Sequence, residues 1–362
     1  MESVGMNLFN NIYHNQNVLL TGHNGFKGSW LSLWLSKLGA NVTGISLSVT
    51  EDNLHWSELN LDVESHDIDV RDASAINKAI QAIKPSIVFH LAAQSLVRPS
   101  YRDPLETWST NVMGTANVLE ACRKTSSVKA VIVVTSDKCY ENKEWHWGYR
   151  ETDRLGGYDP YSASKAGAEL VANSYRQSFF DKGDLLLATA RAGNVIGGGD
   201  WSQDRIVPDV ARAVKNKCSL EIRSPNATRP WQHVLESLSG YLLLGQKLLE
   251  GKHDFAEAWN FGPSDESNRS VEEMLTVMQP MWPDLVWNIS DAAHPHEAQL
   301  LRLDSAKANQ RLKWQPVWRW DKSIQATAQW YRTYLEQNKI ASSEQLDQYI
   351  NDARTMKQAW AI

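Results

Sequence analysis

Over the first half of the chain, short apolar runs alternate with stretches whose apolar residues recur every three or four positions. The run at 17–21, Asn-Val-Leu-Leu-Thr, reads as a buried strand that stops at Gly22. Trp30, Leu31, Leu33, Trp34, Leu35 and Leu38 then recur at helical spacing up to Gly39. The same reading predicts strands over 41–47, weakly over 66–70, and over 86–91, 130–135 and 185–190. It predicts helices over 73–83 (ending before Lys84-Pro85), 108–122 and 161–179. Strand and helix in strict alternation imply right-handed crossovers, and so an α/β fold whose doubly wound parallel sheet carries helices on both faces.

After about Asn194 the pattern loosens. Gly197-Gly198-Gly199 and a series of prolines from Pro208 to Pro295 punctuate shorter elements, as expected of a smaller mixed α/β lobe. No composition shift marks a linker. The expected division is 1–193 for the first domain, with later segments returning to it, 194–342 mainly for a substrate-binding lobe, and 343–362 for an amphipathic terminal helix. That last helix is expected to be peripheral or a subunit contact.

Composition narrows the function classes. The 362 residues hold 37 Lys plus Arg against 42 Asp plus Glu, a net charge of −5, which argues against gripping nucleic acid or anionic membrane by bulk charge. A hydrophobic fraction of 42% and a charged fraction of 22% are those of a folded globular protein. The three cysteines, Cys122, Cys139 and Cys218, are scattered and form no CxxC pair, which fits a reducing compartment. No apolar run approaches a membrane span, and the first residues lack a signal-peptide layout, so a cytoplasmic location is expected. Sixteen tryptophans are assigned mostly to core and subunit packing.

Thr21-Gly22-His23-Asn24-Gly25-Phe26-Lys27-Gly28 comes directly after the first strand and opens a helix. Gly22 suits the tight turn, Gly25 a close backbone approach to a pyrophosphate, and Gly28 helix-to-sheet packing, with the positive helix end facing the anion. This is a dinucleotide-binding, Rossmann-type loop. The acid expected about 20 residues on, at the end of the second strand, is missing: Leu47 and Ser48 stand there, with no arginine nearby. NAD is expected, with NADP left open. Asp69, with Val70 next to it, is placed to accept from the adenine amino group, although Asp69 could instead cap the next helix, a task better suited to Asp72. His23 is a candidate pyrophosphate contact or else a surface residue. Lys27 could approach a 2′-phosphate but reads first as a solvated helix lysine.

Tyr161-Ser-Ala-Ser-Lys165 opens a helix, and i,i+4 spacing puts the phenol and the ammonium on one face. The lysine is expected to lower the phenol's pKa and fit it to take a proton from a sugar hydroxyl. Ser136, at the carboxyl end of the 130–135 strand, can bond the same oxygen.

With these residues the sequence resembles the extended short-chain dehydrogenase/reductase family, over about residues 15 to 320. His90-Leu-Ala-Ala-Gln94, Thr110-Asn-Val-Met-Gly-Thr115 and Arg191-Ala-Gly-Asn-Val195 carry the likeness further. The two residues after the serine separate the branches. Asp137-Lys138 is similar to the pair in members that remove water from CDP-linked glucose, where the dTDP-sugar branch has Asp-Glu. The segments 191–201, 229–234 and 294–297 resemble the same branch.

The resemblance implies a lyase that oxidises C4 of the hexose through Ser136, Tyr161 and Lys165 and eliminates water across C5–C6. Lys138 is assigned as base and Asp137 as acid, each in an atypical protonation state. Hydride then returns to C6 from a retained NAD. The cofactor contacts implied are Gly22, Gly25, Phe26, Gly28, Asp69, Val70, Ala92, Asn111, Tyr161 and Lys165; Asn111 could instead only cap a kink.

For the nucleotide sugar, Arg205 and Arg229 are candidates for the diphosphate, Asn194 for a phosphate or for positioning the second lobe, Arg98 for the sugar, with Gln94 beside it and His294 for the nucleotide. His294 and His296 flank Pro295 with Glu297 next, too few donors for a metal site, and none is expected. A homodimer or tetramer, formed by the 108–122 and 161–179 helices, and a role in deoxysugar and lipopolysaccharide O-antigen biosynthesis complete what the family implies. The competing readings are an epimerase or reductase of the same family, which needs no C5 base beside a C6 acid, and a nucleotide-binding scaffold, which needs no activated tyrosine.

Overall fold

The computed structural model describes residues 7–50, 53–180, 183–289 and 300–362. Its centre is a sheet of seven strands: β1 (Asn17–Thr21), β2 (Asn41–Ser46), β3 (Glu64–Asp67), β4 (Ile87–His90), β5 (Ala130–Val134), β6 (Leu186–Ala192) and β7 (Ala258–Phe261). The spatial order is β7-β6-β5-β4-β1-β2-β3, and every pair is parallel. The order reverses between β1 and β4, where a doubly wound sheet opens a crevice for ligands at its strand ends.

Burial on both faces explains the near-continuous apolar runs. Leu20, Ile87, Phe89, Ile132 and Ala188 face one core, and Leu19, Val88, Val131, Val133 and Leu187 the other. Helices α1 (Phe26–Lys37), α2 (Ala73–Ile83), α3 (Gly114–Arg123), α4 (Pro160–Tyr175), α5 (Ile206–Asn216), α6 (Val234–Leu249), α7 (Trp320–Gln337) and α8 (Ser342–Thr355) surround the strands. Asp72 caps α2 by accepting from Ser74 N and Ala75 N, and so takes the role weighed for Asp69.

Two elements differ from the sequence pattern. The third strand is Glu64–Asp67, not 66–70: Ile68 and Val70 drew the expectation, but they lie in the turn after it. The helix expected over 108–122 is broken, with Pro104–Trp108 leading into a π-turn at Ser109–Met113 before α3.

Beyond β6 the chain forms α5 and three two-stranded ribbons, of which Thr228–Pro230 against Asn268–Ser270 is antiparallel. Helix α8 is not peripheral. Leu346, Tyr349, Ile350 and Ala353 are buried, and Tyr349 and Trp360 pack on Trp34 of α1 with ring centroids 5.8 and 5.5 Å away. Beneath them Glu236 of α6 is wholly buried; it accepts from Val317 N (2.9 Å), Trp318 N (2.7 Å) and Tyr349 Oη (2.8 Å). Trp30, Trp34, Trp259, Trp314, Trp330 and Trp360 are all fully buried, so the tryptophan excess is largely core. Among the described residues no helix is long and apolar enough to cross a membrane, and no group of three or more His, Cys, Asp or Glu could hold a metal. His294, His296 and Glu297 lie outside the described residues.

Candidate active site

The glycine loop joins β1 to α1 at the point where the strand order reverses. Gly22 has φ +73°, and a Cβ there would lie 2.8 Å from Ala92 N, so the loops after β1 and β4 meet backbone to backbone. A Cβ on Gly28 would fall 2.0 Å from Gly22 O. With Gly25 as the extended N-cap of α1, the loop is a bare backbone cradle at a helix N-terminus. Phe26 begins α1 and packs near Gly197, and Val70 is buried against Gly114.

The loop's polar side chains are not where the sequence suggested. His23 is buried and turned back into the sheet, bonding Ser46 Oγ (2.9 Å) and Ser65 Oγ (2.7 Å) and meeting Trp56 edge-on. It is neither a surface residue nor aimed at an anion. Lys27 is half-buried and donates to Tyr241 Oη of α6 at 3.2 Å. Burial, then Arg205 and Lys165, push it down to about 7, against the pull of Asp137. Asp69 pairs with Arg71 at 2.5 Å, whose bonds hold its carboxyl below the usual range.

The catalytic candidates converge at the carboxyl end of β5. Ser136 is extended and caps a 3-10 turn, Asp137–Cys139, accepting from Lys138 N at 3.2 Å. That turn aims successive side chains differently: Asp137 and Cys139 are buried, Lys138 half-buried. Ser136 Oγ donates to Asp137 Oδ1 at 2.9 Å. Asp159 caps α4 by accepting from Ser162 N at 2.9 Å, and Pro160 stands in the first turn, which brings Tyr161 to the helix mouth. The Ser136 hydroxyl lies within hydrogen-bonding reach of the Tyr161 phenol.

Burial pushes Asp137 up from the ordinary carboxylate value, against the opposing charge of Lys138, and so favours its protonated form. The phenol contradicts the sequence expectation. Burial pushes Tyr161 up to about 12, and the influences that oppose this are Ser136 and Arg205. Lys165 instead donates to Val134 O at 3.3 Å, and burial brings its ammonium down to about 8 against the pull of Glu169.

Asp137, Lys138, Asn194, Arg229, Pro230 and Leu301 line one small cavity. The motif that begins at Arg191 and the second lobe therefore meet the Asp137–Lys138 turn. Asp137 Oδ2 would be 3.0 Å from a Cβ on Gly193. Arg205 bonds Asp200 at 2.9 Å and faces Tyr161.

Other sequence candidates are occupied by the fold. Gln94 uses its side chain on Leu96 and Thr107, which holds its own loop. Arg98 pairs with Asp204 at 2.8 Å, across from the loop before α5. Asn111 sits buried in the π-turn, donates to Gln94 O and Ser164 Oγ and accepts from Gln94 N, so it ties the β4 loop to α4.

The sequence reading missed Tyr241, Asp200, Asp67 and Glu169. Only Glu169 carried a local signal: it continues the i,i+4 spacing of Tyr161 and Lys165 by one more turn.

Known proteins are similar to this chain in sequence or in fold. The CDP-glucose 4,6-dehydratase of Salmonella typhimurium is 47% identical over 94% of this chain and 98% of its own length. An epimerase structure from Methanothermobacter thermautotrophicus superposes with TM-score 0.81 at 23% identity, covering 91% of this chain and 96% of that one. The Thermus thermophilus UDP-glucose 4-epimerase in complex with NAD gives 0.75 at 23% identity over 87% and 98%. A family profile described as GDP-mannose 4,6 dehydratase matches residues 19–327. With the glycine cradle, the tyrosine–lysine helix and the acid–base turn all inside that span, the chain belongs to the GDP-mannose 4,6 dehydratase family.

Proposed function

We propose that this protein is a CDP-glucose 4,6-dehydratase, a lyase that converts CDP-glucose to CDP-4-keto-6-deoxyglucose. The observation that carries the reading is the Asp137–Lys138 turn beside Ser136 and Tyr161, sharing its cavity with Asn194 and Arg229. An epimerase or reductase needs the tyrosine but has no use for an acid and a base at C6 and C5. The 47% identity to a CDP-glucose 4,6-dehydratase supports the choice of nucleotide.

The bare backbone at Gly22, Gly25 and Gly28, at the N-terminus of α1, fits a dinucleotide pyrophosphate. A bound NAD supplies the acceptor for the C4 hydride, its return to C6, and an oxidised-ring charge that favours phenolate at Tyr161. Asp67 accepts from Ser48 just past β2, and a carboxylate near that strand end supports NAD over NADP. Ser136 and Tyr161 hold the C4 oxygen, and Tyr161 takes its proton. Lys138 removes the C5 proton once C4 is a ketone and returns it to C5 as hydride reaches C6. Asp137, whose carboxyl burial shifts toward its protonated form, gives a proton to the departing C6 hydroxyl. Arg229 and Arg205 flank the site and supply positive charge for the diphosphate.

We assign 1–193 together with β7 to the dinucleotide-binding domain, 194–342 mainly to the sugar-nucleotide lobe, and 343–362 to the terminal helix. Exposed Leu105, Trp108, Met113 and Leu170 support a homodimer through the 104–123 segment and α4. Deoxysugar biosynthesis in the cytoplasm, as for lipopolysaccharide O-antigen, is the setting this reading implies.

The test is incubation with CDP-, dTDP-, UDP- and GDP-glucose, and then alkali to develop the 4-keto chromophore. CDP-glucose should give the strongest response, and deuterium from C4 should appear in the product methyl group. A 4-epimer, or no keto sugar from any nucleotide, overturns the reading. Lys138→Ala should still oxidise C4 and should yield no 6-deoxy product.

A further inference from the structure

The site's working groups come from separate segments, and those segments meet beneath it on one buried ion pair. Glu169 lies one turn below Lys165 and two below Tyr161 on α4. It accepts from both prongs of Arg191 on β6, Nε at 2.9 Å and Nη2 at 2.7 Å, and from Thr189 Oγ1 at 2.8 Å. It also accepts from Thr135, the residue before Ser136. Arg191 Nη1 donates at 2.7 Å to Tyr140 Oη, the residue that closes the Asp137–Cys139 turn. Two residues past Arg191, Gly193 forms the floor against the Asp137 carboxylate, and Asn194 then enters the cavity. Both members of the pair are 3% exposed.

Stability alone is a poor reason for this construction, because well-packed apolar residues serve a buried site as well as an ion pair or better. What the pair provides is direction. A two-pronged guanidinium–carboxylate contact fixes angle as well as distance, and here it joins the segment of the oxidation groups to those of the elimination groups.

We propose that Glu169 and Arg191 are positioning residues that hold the Tyr161–Lys165 face of α4 in register with the Ser136–Asp137–Lys138 turn, so that one bound hexose pose serves both halves of the reaction. The inference rests on the function proposed above. Glu169 has a second effect on the same face: its charge is the chief influence keeping the proton on Lys165 against burial.

Three variants test this. Glu169→Gln should lower kcat about 10- to 100-fold, the scale of a small misplacement of reacting groups, with KM for CDP-glucose changed by less than about threefold. Its alkaline limb should move to lower pH, because Lys165 loses the carboxylate that holds its proton. Glu169→Gln with Arg191→Met removes both charges and leaves neither unpaired. It should recover the melting temperature but neither kcat nor the alkaline limb. Thr189→Val keeps both charges and removes one bond, so it should fold normally and lose kcat by about two- to fivefold.

The proposal is overturned if the double variant regains kcat along with its melting temperature, if Glu169→Gln keeps the wild-type alkaline limb, or if Thr189→Val has wild-type kcat. Should the two charge variants fail to fold, Thr189→Val decides alone. Absence of keto product from the unmodified enzyme would instead refute the function, independently of these ratios.

Discussion

Glu169 and Glu236 are both out of water, 3% and 0% exposed, yet they lie on opposite sides of the ordinary carboxylate value. Burial pushes Glu169 up, but the charge and two-pronged bond of Arg191, with Thr135 and Thr189, outweigh it and leave the carboxyl low. Glu236 meets no cation among the groups that bond it. Two backbone N–H groups and a phenol oppose burial only in part, and its value rises to about 7. Burial therefore sets the cost of a charge, and the partner decides whether the charge persists. Beneath the reacting groups the fold supplies a full counter-charge. Where α8 docks on α6 it supplies dipoles alone.

The comparison can be sharpened at four places. Tyr161→Phe removes the proposed proton acceptor above the charged pair. It should lower turnover about 10²- to 10⁴-fold, the range for a lost general base, with the melting temperature unchanged; turnover near wild type would remove Tyr161 from the mechanism. Arg191→Met strands Glu169 without its cation, and chemical denaturation should show a loss of about 3–5 kcal/mol.

Glu236→Gln probes the other side. A carboxyl raised from 4.5 to about 7 in the folded state binds more protons there than in the unfolded chain, so its contribution falls as pH rises through that window and levels off above it. Replacing it should flatten the fall in stability by about 3 kcal/mol, read from denaturation midpoints across the window. An unchanged slope would mean the carboxylate is better solvated than its surroundings indicate. Glu169, held low, has the opposite sign, since its contribution is lost as pH falls below the ordinary value.

The smallest effect belongs to an exposed pair. Arg98→Ala breaks the contact with Asp204, both about one-third exposed, and should cost less than about 1 kcal/mol. A rise in KM without loss of stability would return Arg98 to the sugar-facing role expected from the sequence.

How much was legible depends on the range of the forces involved. Helix α2 has its boundaries written locally in Asp72 and in Lys84-Pro85, and the sequence reading matched it end to end. β3, Glu-Ser-His-Asp, has no apolar period to read, since its place comes from pairing with β2. The amphipathic face of α8 was visible, but its cover, Trp34, lies some three hundred residues earlier in the chain. The site divides in the same way. Ser136, Asp137, Lys138, Tyr161 and Lys165 were legible because strand-end and i,i+4 geometry are local. The present partners of Gln94, Arg98 and Lys27 could not be read in the same way, because side-chain direction there depends on Thr107, Asp204 and Tyr241, which lie outside the local sequence pattern.

Gly193 has one consequence for the proposed reaction. The hydrogen it carries in place of a methyl group leaves the neighbouring carboxylate its resting place, and a methyl there would stand closer to that oxygen than ordinary van der Waals contact allows. On the proposed mechanism, the place of the acid that assists loss of water is therefore set by a missing side chain in the main chain at Gly193. An added carbon there would oblige the Asp137 carboxyl to give way by a few tenths of an ångström, at the very group to which the proposed reaction assigns the departing hydroxyl.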